Sequence, residues 1–200
     1  MTAQAARAGG PLAELRRLDG EVYAAVVRSD TPGLDRAMRR LSQAANHSKL
    51  SMASAAVMAL VGGRRGRRAA ASGLAAVGLT SGLVNVALKP VWRRGRPARH
   101  EHPVVAARQV RMPASTSFPS GHSASAFAFA VGAGRVLPAA GVPLRALAAA
   151  VAYSRVHTGV HYPGDVIAGS LIGAVTADLS ADRIDRLVNH IWTKRSSRSS

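Results

Sequence analysis

Three stretches of this chain gather side chains that can handle phosphate. Lys89-Pro-Val-Trp-Arg-Arg-Gly-Arg96-Pro97 is cationic. Pro119-Ser120-Gly121-His122 sets an imidazole just after a proline. Ser154-Arg155-Val-His-Thr-Gly-Val-His161-Tyr-Pro-Gly-Asp165 joins a guanidinium, an imidazole and a carboxylate. In the last of these, Pro163 favours the first turn of a helix, so Asp165 falls in that turn, close to His161. A carboxylate there accepts the imidazole Nδ1–H, fixes the tautomer and leaves Nε2 free to attack. An Asp at a helix start also complements the helix dipole without doing chemistry. That ordinary role does not account for Arg155, His161 and Asp165 together at the mouth of an apolar helix, where ionisable residues are functional candidates. Pro-Ser-Gly-His alone is an ordinary N-cap with Ser120 as the cap. The same helix start offers unpaired N–H groups to an anion, close backbone approach at Gly121 and a hydroxyl at Ser120, with His122 able to protonate a leaving oxygen. Lys89 and Arg96 add cations, and the planar fork of Arg suits phosphate oxygens. Arg93, Arg94 and Arg99 read instead as interfacial residues facing anionic headgroups.

Composition narrows the chemistry further. Lys and Arg number 27 against 10 Asp and Glu, a net charge of +17, which calls for an anionic partner. With no cysteine in the chain, disulfides, thiolate metal sites and cysteine nucleophiles are excluded. Between Arg36 and Ala177 the only carboxylates are Glu101 and Asp165, too few for a two-metal phosphatase centre. His100-Glu101-His102 reads as loop rather than metal site, because alternate residues do not share a helical face. Gly62-Gly63-Arg64-Arg65-Gly66 lacks the Lys-Ser/Thr of a phosphate-cradling loop.

Helices must position these clusters. The chain is 48% hydrophobic and 4% aromatic, and its apolar residues are mostly Ala, Val and Leu, which suits an all-α fold. Residues 1–46 read as an amphipathic, interfacial segment: Leu34, Met38 and Leu41 recur at helical spacing after a Thr31-Pro32 start. Residues 47–181 read as a membrane-embedded domain of about five transmembrane helices. These are the uncharged runs 50–63 and 69–88, then helices over about 120–137, 142–154 and 163–181. The basic knot Arg64, Arg65, Arg67, Arg68 is expected as a loop between the first two. Residues 182–200 read as a basic, disordered tail. A soluble bundle is the competing reading, since several runs are short. Residues 69–88, however, are apolar around the whole helix and about as long as a bilayer requires. The opening MTAQAARAGG has no apolar core of signal-peptide type, so a membrane location must come from internal helices. Arg and Lys near 64–68, 135–145 and the C-terminus predict a cytoplasmic side there, with the 89–118 loop extracytoplasmic.

The three clusters resemble the signature motifs of the type 2 phosphatidic-acid phosphatase superfamily, which includes the vanadium haloperoxidases. The pattern is Lys-x6-Arg-Pro, Pro-Ser-Gly-His and Ser-Arg-x5-His-x3-Asp, and every defining position matches in order. The resemblance covers roughly residues 45–180. It implies a helical bundle with His161 as nucleophile, Asp165 orienting it, and His122 as general acid and later base. Lys89, Arg96 and Arg155 would bind the phosphoryl oxygens, helped by Ser120 and the Gly121 amide. It further implies hydrolysis of a lipid-linked phosphate or diphosphate, on a polyprenyl carrier or a glycerolipid, through a phosphohistidine and without metal or other cofactor. A vanadate-dependent haloperoxidase-like enzyme and a non-enzymatic basic membrane-binding protein are the alternatives. Membrane and lipid phosphate are the expected partners, nucleic acid is not, and the oligomeric state stays open.

Overall fold

The computed structural model describes residues 10–99 and 104–196, with side chains through residue 190. His100-Glu101-His102 and the last four residues lie outside the described part. All described elements are helical: α1 (Pro11–Arg28), α2 (Pro32–Ala44), α3 (Lys49–Val61), α4 (Gly63–Gly82), α5 (Lys89–Val91), α6 (Gly121–Val136), α7 (Pro138–His157) and α8 (Pro163–Ser196). A π-helical turn, Leu83–Leu88, joins α4 to α5, so the chain runs as one rod from Gly63 to Val91. Short 3-10 turns at Asn46–Ser48 and Ala106–Arg108 complete the set.

Three boundaries differ from the sequence reading. The arginine knot is not a loop but the first turns of α4. Gly63 takes φ +55°, and a Cβ at Gly62 or Gly66 would strike the Met58 carbonyl, so α3 and α4 meet in a two-glycine turn with no room for a linker. The fourth helix is longer at both ends than expected. The fifth does not stop near Ala181 but continues through the expected tail to Ser196, because Ile184 and Val188 extend its apolar face beyond Ala177 against Ala76 and Ala128.

Helix α6 sits at the centre, packed on α4, α7 and α8. Gly169 and Gly173 of α8, four residues apart, lie directly on the carbonyl oxygens of Ser120 and Ala124, where any Cβ would collide. This small-residue contact brings Asp165, one turn earlier on α8, to the N-terminus of α6. The opposite face of α8 carries Ile167, Leu171, Val175 and Leu179 at four-residue spacing, all exposed. Gly63–Val91 and Pro163–His190 are long and apolar enough to cross a membrane. Helices α3 and α6, of 13 and 16 residues, fall short of the roughly 20 a bilayer requires.

The N-terminal pair α1–α2 is moored at the end of the bundle where α7 finishes and α8 begins. The buried residues of α2 are not the Leu34-Met38-Leu41 stripe but the polar Asp35 and Ser42. Asp35 accepts bonds from Arg108 Nε at 2.7 Å, His157 Nε2 at 3.0 Å and Thr31 Oγ1 at 3.1 Å. The rest of the Arg108 guanidinium donates to the carbonyls of Val26, Val27 and Ser29. Burial alone would raise the Asp35 pKa, but the bonds from His157, Thr31 and Arg108 outweigh it and hold the carboxyl below its usual range. Tyr23, fully buried, closes an apolar cluster with Val104, Val156 and Val166.

Candidate active site

His161 lies in the short turn between α7 and α8 and is 1% exposed. Gly159 makes the turn possible. Its φ is +70°, and a Cβ there would meet Val104 and the Tyr23 hydroxyl. One guanidinium nitrogen of Arg96 stands 3.1 Å from His161 Nε2. Arginine can only donate, so Nε2 is the acceptor and the ring proton resides on Nδ1. That nitrogen faces Asp165 Oδ2 at 3.5 Å and Ser117 Oγ at 3.4 Å. The expected Nδ1–carboxylate pairing is therefore present in orientation, at the long end of its range. Burial, opposed by Asp165 and reinforced by the charges of Arg96 and Arg155, takes the His161 pKa down to about 4.

Asp165 is fully buried and heavily bonded. Its Oδ2 accepts from Ser117 Oγ at 2.5 Å and the Tyr162 N–H at 2.9 Å; its Oδ1 accepts from Arg94 at 3.0 Å. Arg94 also donates to Asp19 Oδ2 at 2.6 Å, and its guanidinium lies 4.2 Å from the centre of the Tyr162 ring. This corrects the headgroup reading for Arg94, which faces the protein. Arg99 likewise turns inward, donating to the carbonyls of Val110 and Thr158. Arg93 remains exposed.

The cations gather as the spacing suggested. Lys89 donates to Ser115 Oγ at 3.0 Å, and Arg96 donates to the same oxygen at 3.3 Å and to the Ser115 carbonyl at 2.9 Å. The Lys89 ammonium stands beside Gly121 at the start of α6. Arg155 is buried. Its Nη1 donates to the Ser42 carbonyl and hydroxyl, and its Nε has no partner. His122 lies within electrostatic reach of Arg155, His161, Lys89 and Arg96, and its Nε2 stands 3.0 Å from Asn46 Oδ1. Ser120 caps α6, accepting from the N–H and hydroxyl of Ser123, and its own N–H donates to the Asp165 carbonyl at 2.9 Å. Its hydroxyl oxygen accepts both bonds of the cap, and its own hydrogen remains to donate. All eight residues singled out by type and spacing gather at one end of the bundle, around the start of α6. Spacing did not disclose Asp19, Ser42, Asn46, Arg94 and Ser117. The first three lie in a segment without motif, and polar residues there carried no signal of what they would touch.

A cluster of cations around one uncharged, acceptor-ready imidazole can take a phosphoryl group, anchor its oxygens and offer it a nucleophile. The chain is similar to proteins named as phosphatases. The sequence profile described as "PAP2 superfamily" matches residues 69–186. The chain is 36% identical over 146 residues to the decaprenylphosphoryl-5-phosphoribose phosphatase of Mycobacterium tuberculosis, covering 72% of this chain and 77% of that protein. It is 38% identical over 139 residues to the phosphatase of the same name from Mycolicibacterium smegmatis, covering 69% and 72%. The fold superposes on the crystal structure of Aquifex aeolicus LpxE with a TM-score of 0.64 and 25% identity, covering 82% of this chain and 95% of that one. It also superposes on a transmembrane PAP2-type phosphatidylglycerolphosphate phosphatase from Bacillus subtilis with a TM-score of 0.60 and 24% identity, covering 95% and 90%. With the profile spanning more than half its length, the chain belongs to the PAP2 superfamily and is a phosphoric monoester hydrolase.

Proposed function

We propose that this protein removes the terminal phosphate from a polyprenyl-phosphate sugar phosphate at the membrane, through a phosphohistidine on His161. The observation that carries the mechanism is the placement of His161: acceptor nitrogen toward Arg96, proton-bearing nitrogen toward Asp165. In the first step Nε2 attacks phosphorus in line, the phosphorus–oxygen bond to the leaving group breaks, and His122 gives that oxygen its proton. Asp165 stabilises the positive charge that develops on the ring. In the second step a water attacks phosphorus, the phosphorus–nitrogen bond breaks, and a proton of the water passes to His122. Inorganic phosphate leaves and the neutral His161 returns. Lys89, Arg96, Arg155 and the Gly121 amide surround the equatorial oxygens, where phosphoryl transfer gathers charge. The chain's own donors and cations suffice for these steps, so no metal is needed.

The substrate class rests on the two mycobacterial relatives, whose name denotes a phosphorylated sugar on a polyprenyl phosphate. Their phosphatase names favour hydrolysis over the oxidase reading. We further propose a multi-pass arrangement in which α3, α6 and α7 complete the span begun by the two long helices. Five crossings set the N-terminal segment, the 89–118 loop and the α7–α8 turn on one face, the extracytoplasmic one. The packing of α1–α2 against that end of the bundle supports this.

The test is phosphate release by purified protein in detergent, with a chelator present, from decaprenylphosphoryl-5-phosphoribose, polyprenyl diphosphate, phosphatidate and phosphatidylglycerol phosphate. The sugar phosphate should be turned over fastest, and His161→Ala should fall to background because the attacking atom is gone. Reversible loss of turnover on chelation would refute the metal-free mechanism.

A further inference from the structure

Three side chains of the N-terminal segment, which has no part of the signature, end on the reacting machinery. Asp19 on α1 accepts from Arg94 at 2.6 Å and from the Gly164 N–H at 2.6 Å, and Arg94 passes the contact on to Asp165 at 3.0 Å. Ser42 on α2 receives Arg155 Nη1 on its carbonyl at 3.1 Å and on its hydroxyl at 2.7 Å. Asn46, just after α2, accepts from His122 Nε2 at 3.0 Å. The carboxylate behind the nucleophile, a phosphate-binding guanidinium and the acid each have one such contact.

We infer that the N-terminal helical hairpin is a positioning part of the active site: Asp19 acting through Arg94 on Asp165, Ser42 on Arg155, and Asn46 on His122. The inference rests on the roles proposed above for those three groups.

Each contact removes a freedom that the signature residues do not remove for one another. A guanidinium shared between Asp19 and Asp165 and seated on the Tyr162 ring keeps the carboxylate behind His161 in one orientation. Arg155 emerges from a buried helix end with Nε unpartnered, so the Ser42 oxygens are what aim its fork. Asn46 Oδ1 can only accept, which keeps one proton on His122 Nε2 and leaves Nδ1 as the nitrogen that gives and takes the reaction's proton. The turn that presents Asn46 is held against backbone preference. His47 and Ser48 both take left-handed φ, 54° and 55°, a conformation unfavourable for residues with a Cβ, which surrounding structure must sustain. The hairpin has moorings separate from these three contacts, in the Asp35–Arg108–His157 cluster and in Tyr23. Removing one positioning group therefore need not release it.

The experiment compares Asp19→Asn, Asp19→Ala and Asn46→Ala with native protein and with Arg17→Ala, whose exposed pairs with Glu14 and Glu21 face away from the site. The probe is whichever lipid phosphate native protein turns over fastest in the panel above. Pre-steady-state bursts of the dephosphorylated lipid, the product of the first step, count active sites, and thermal melting in detergent reports the fold. Positioning predicts that kcat per active site falls by roughly 10- to 100-fold, the range that small misplacements of reacting groups cost. KM should change less than about twofold, melting should be native-like, and Arg17→Ala should match native protein. Asp19→Asn, which keeps the shape, should lie between native and Asp19→Ala. Native kcat per active site in folded Asp19→Ala and Asn46→Ala, with His161→Ala inert, overturns the inference alone. A fully active His161→Ala overturns the reading of the site and the inference with it.

Discussion

At the level of single residues, the state of His161 decides whether the pocket works at neutral pH. A nucleophilic imidazole must be uncharged, and surrounding it with Arg96 and Arg155 inside a buried pocket makes protonation costly. Its pKa, down to about 4 from an ordinary 6.5, leaves the ring neutral throughout the physiological range. The ring gains its proton, and the enzyme loses its nucleophile, only as pH falls through that lowered value. Nitrogen-15 titration of the His161 ring should therefore show a midpoint near 4. Arg96→Gln should raise it without reaching 6.5, because the missing charge is the lesser cause and burial the larger. A native midpoint at the ordinary imidazole value would contradict this account. The same pocket shows how a loop residue is misread. Arg93 and Arg94 are adjacent and chemically alike, yet one is exposed and the other joins Asp19 to Asp165.

At the level of elements, the polar face of α2 carries more weight than its apolar stripe. Asp35 is an ionised carboxylate buried against Arg108 and His157. Removing one partner from such a cluster costs about 3–5 kcal/mol, because the other charge is left buried and unpaired. Asp35→Ala should thus lower thermal stability markedly, measured by melting in detergent. The native cluster also has a signature in pH. Its folded pKa lies below the ordinary 3.8, so its stabilisation is fully present above that value and is lost as pH falls through the folded pKa. The Asp35→Ala variant should lack this acid component. The α6–α8 contact is the second such element. There two glycines let backbone touch backbone and deliver Asp165 to the capped start of α6.

At the level of the whole molecule, the exposed apolar stripes of α8 and the Gly63–Val91 rod call for lipid around the bundle, with the basic site at one rim. The absence of cysteine makes the orientation directly measurable. Val105 lies in the loop on the site's face and Val142 near the start of α7, and both are exposed. Val105→Cys should react with a membrane-impermeant maleimide added to intact cells, and Val142→Cys only after the membrane is opened. The reverse pattern would place the site on the cytoplasmic face.

Sequence alone was enough for the helical class and for singling out the eight candidate residues that the fold then brings to one end of the bundle. Apolar runs without charge and signature spacings are local properties of the chain, and proline and glycine mark where they begin. Helix ends were less legible, because the closeness of Gly62 and Gly66 to Met58, and the burial of Ile184 and Val188, depend on partners distant in the chain. The N-terminal segment was the least legible part. Asp19, Asp35, Ser42 and Asn46 look like ordinary surface polar residues when read along the chain. Only the fold, by laying α1–α2 across the end of α7 and the start of α8, turns them inward onto Arg94, Arg108, Arg155 and His122. A polar side chain takes its role from the partner that tertiary packing supplies, and no spacing rule within one segment encodes a partner dozens of residues away.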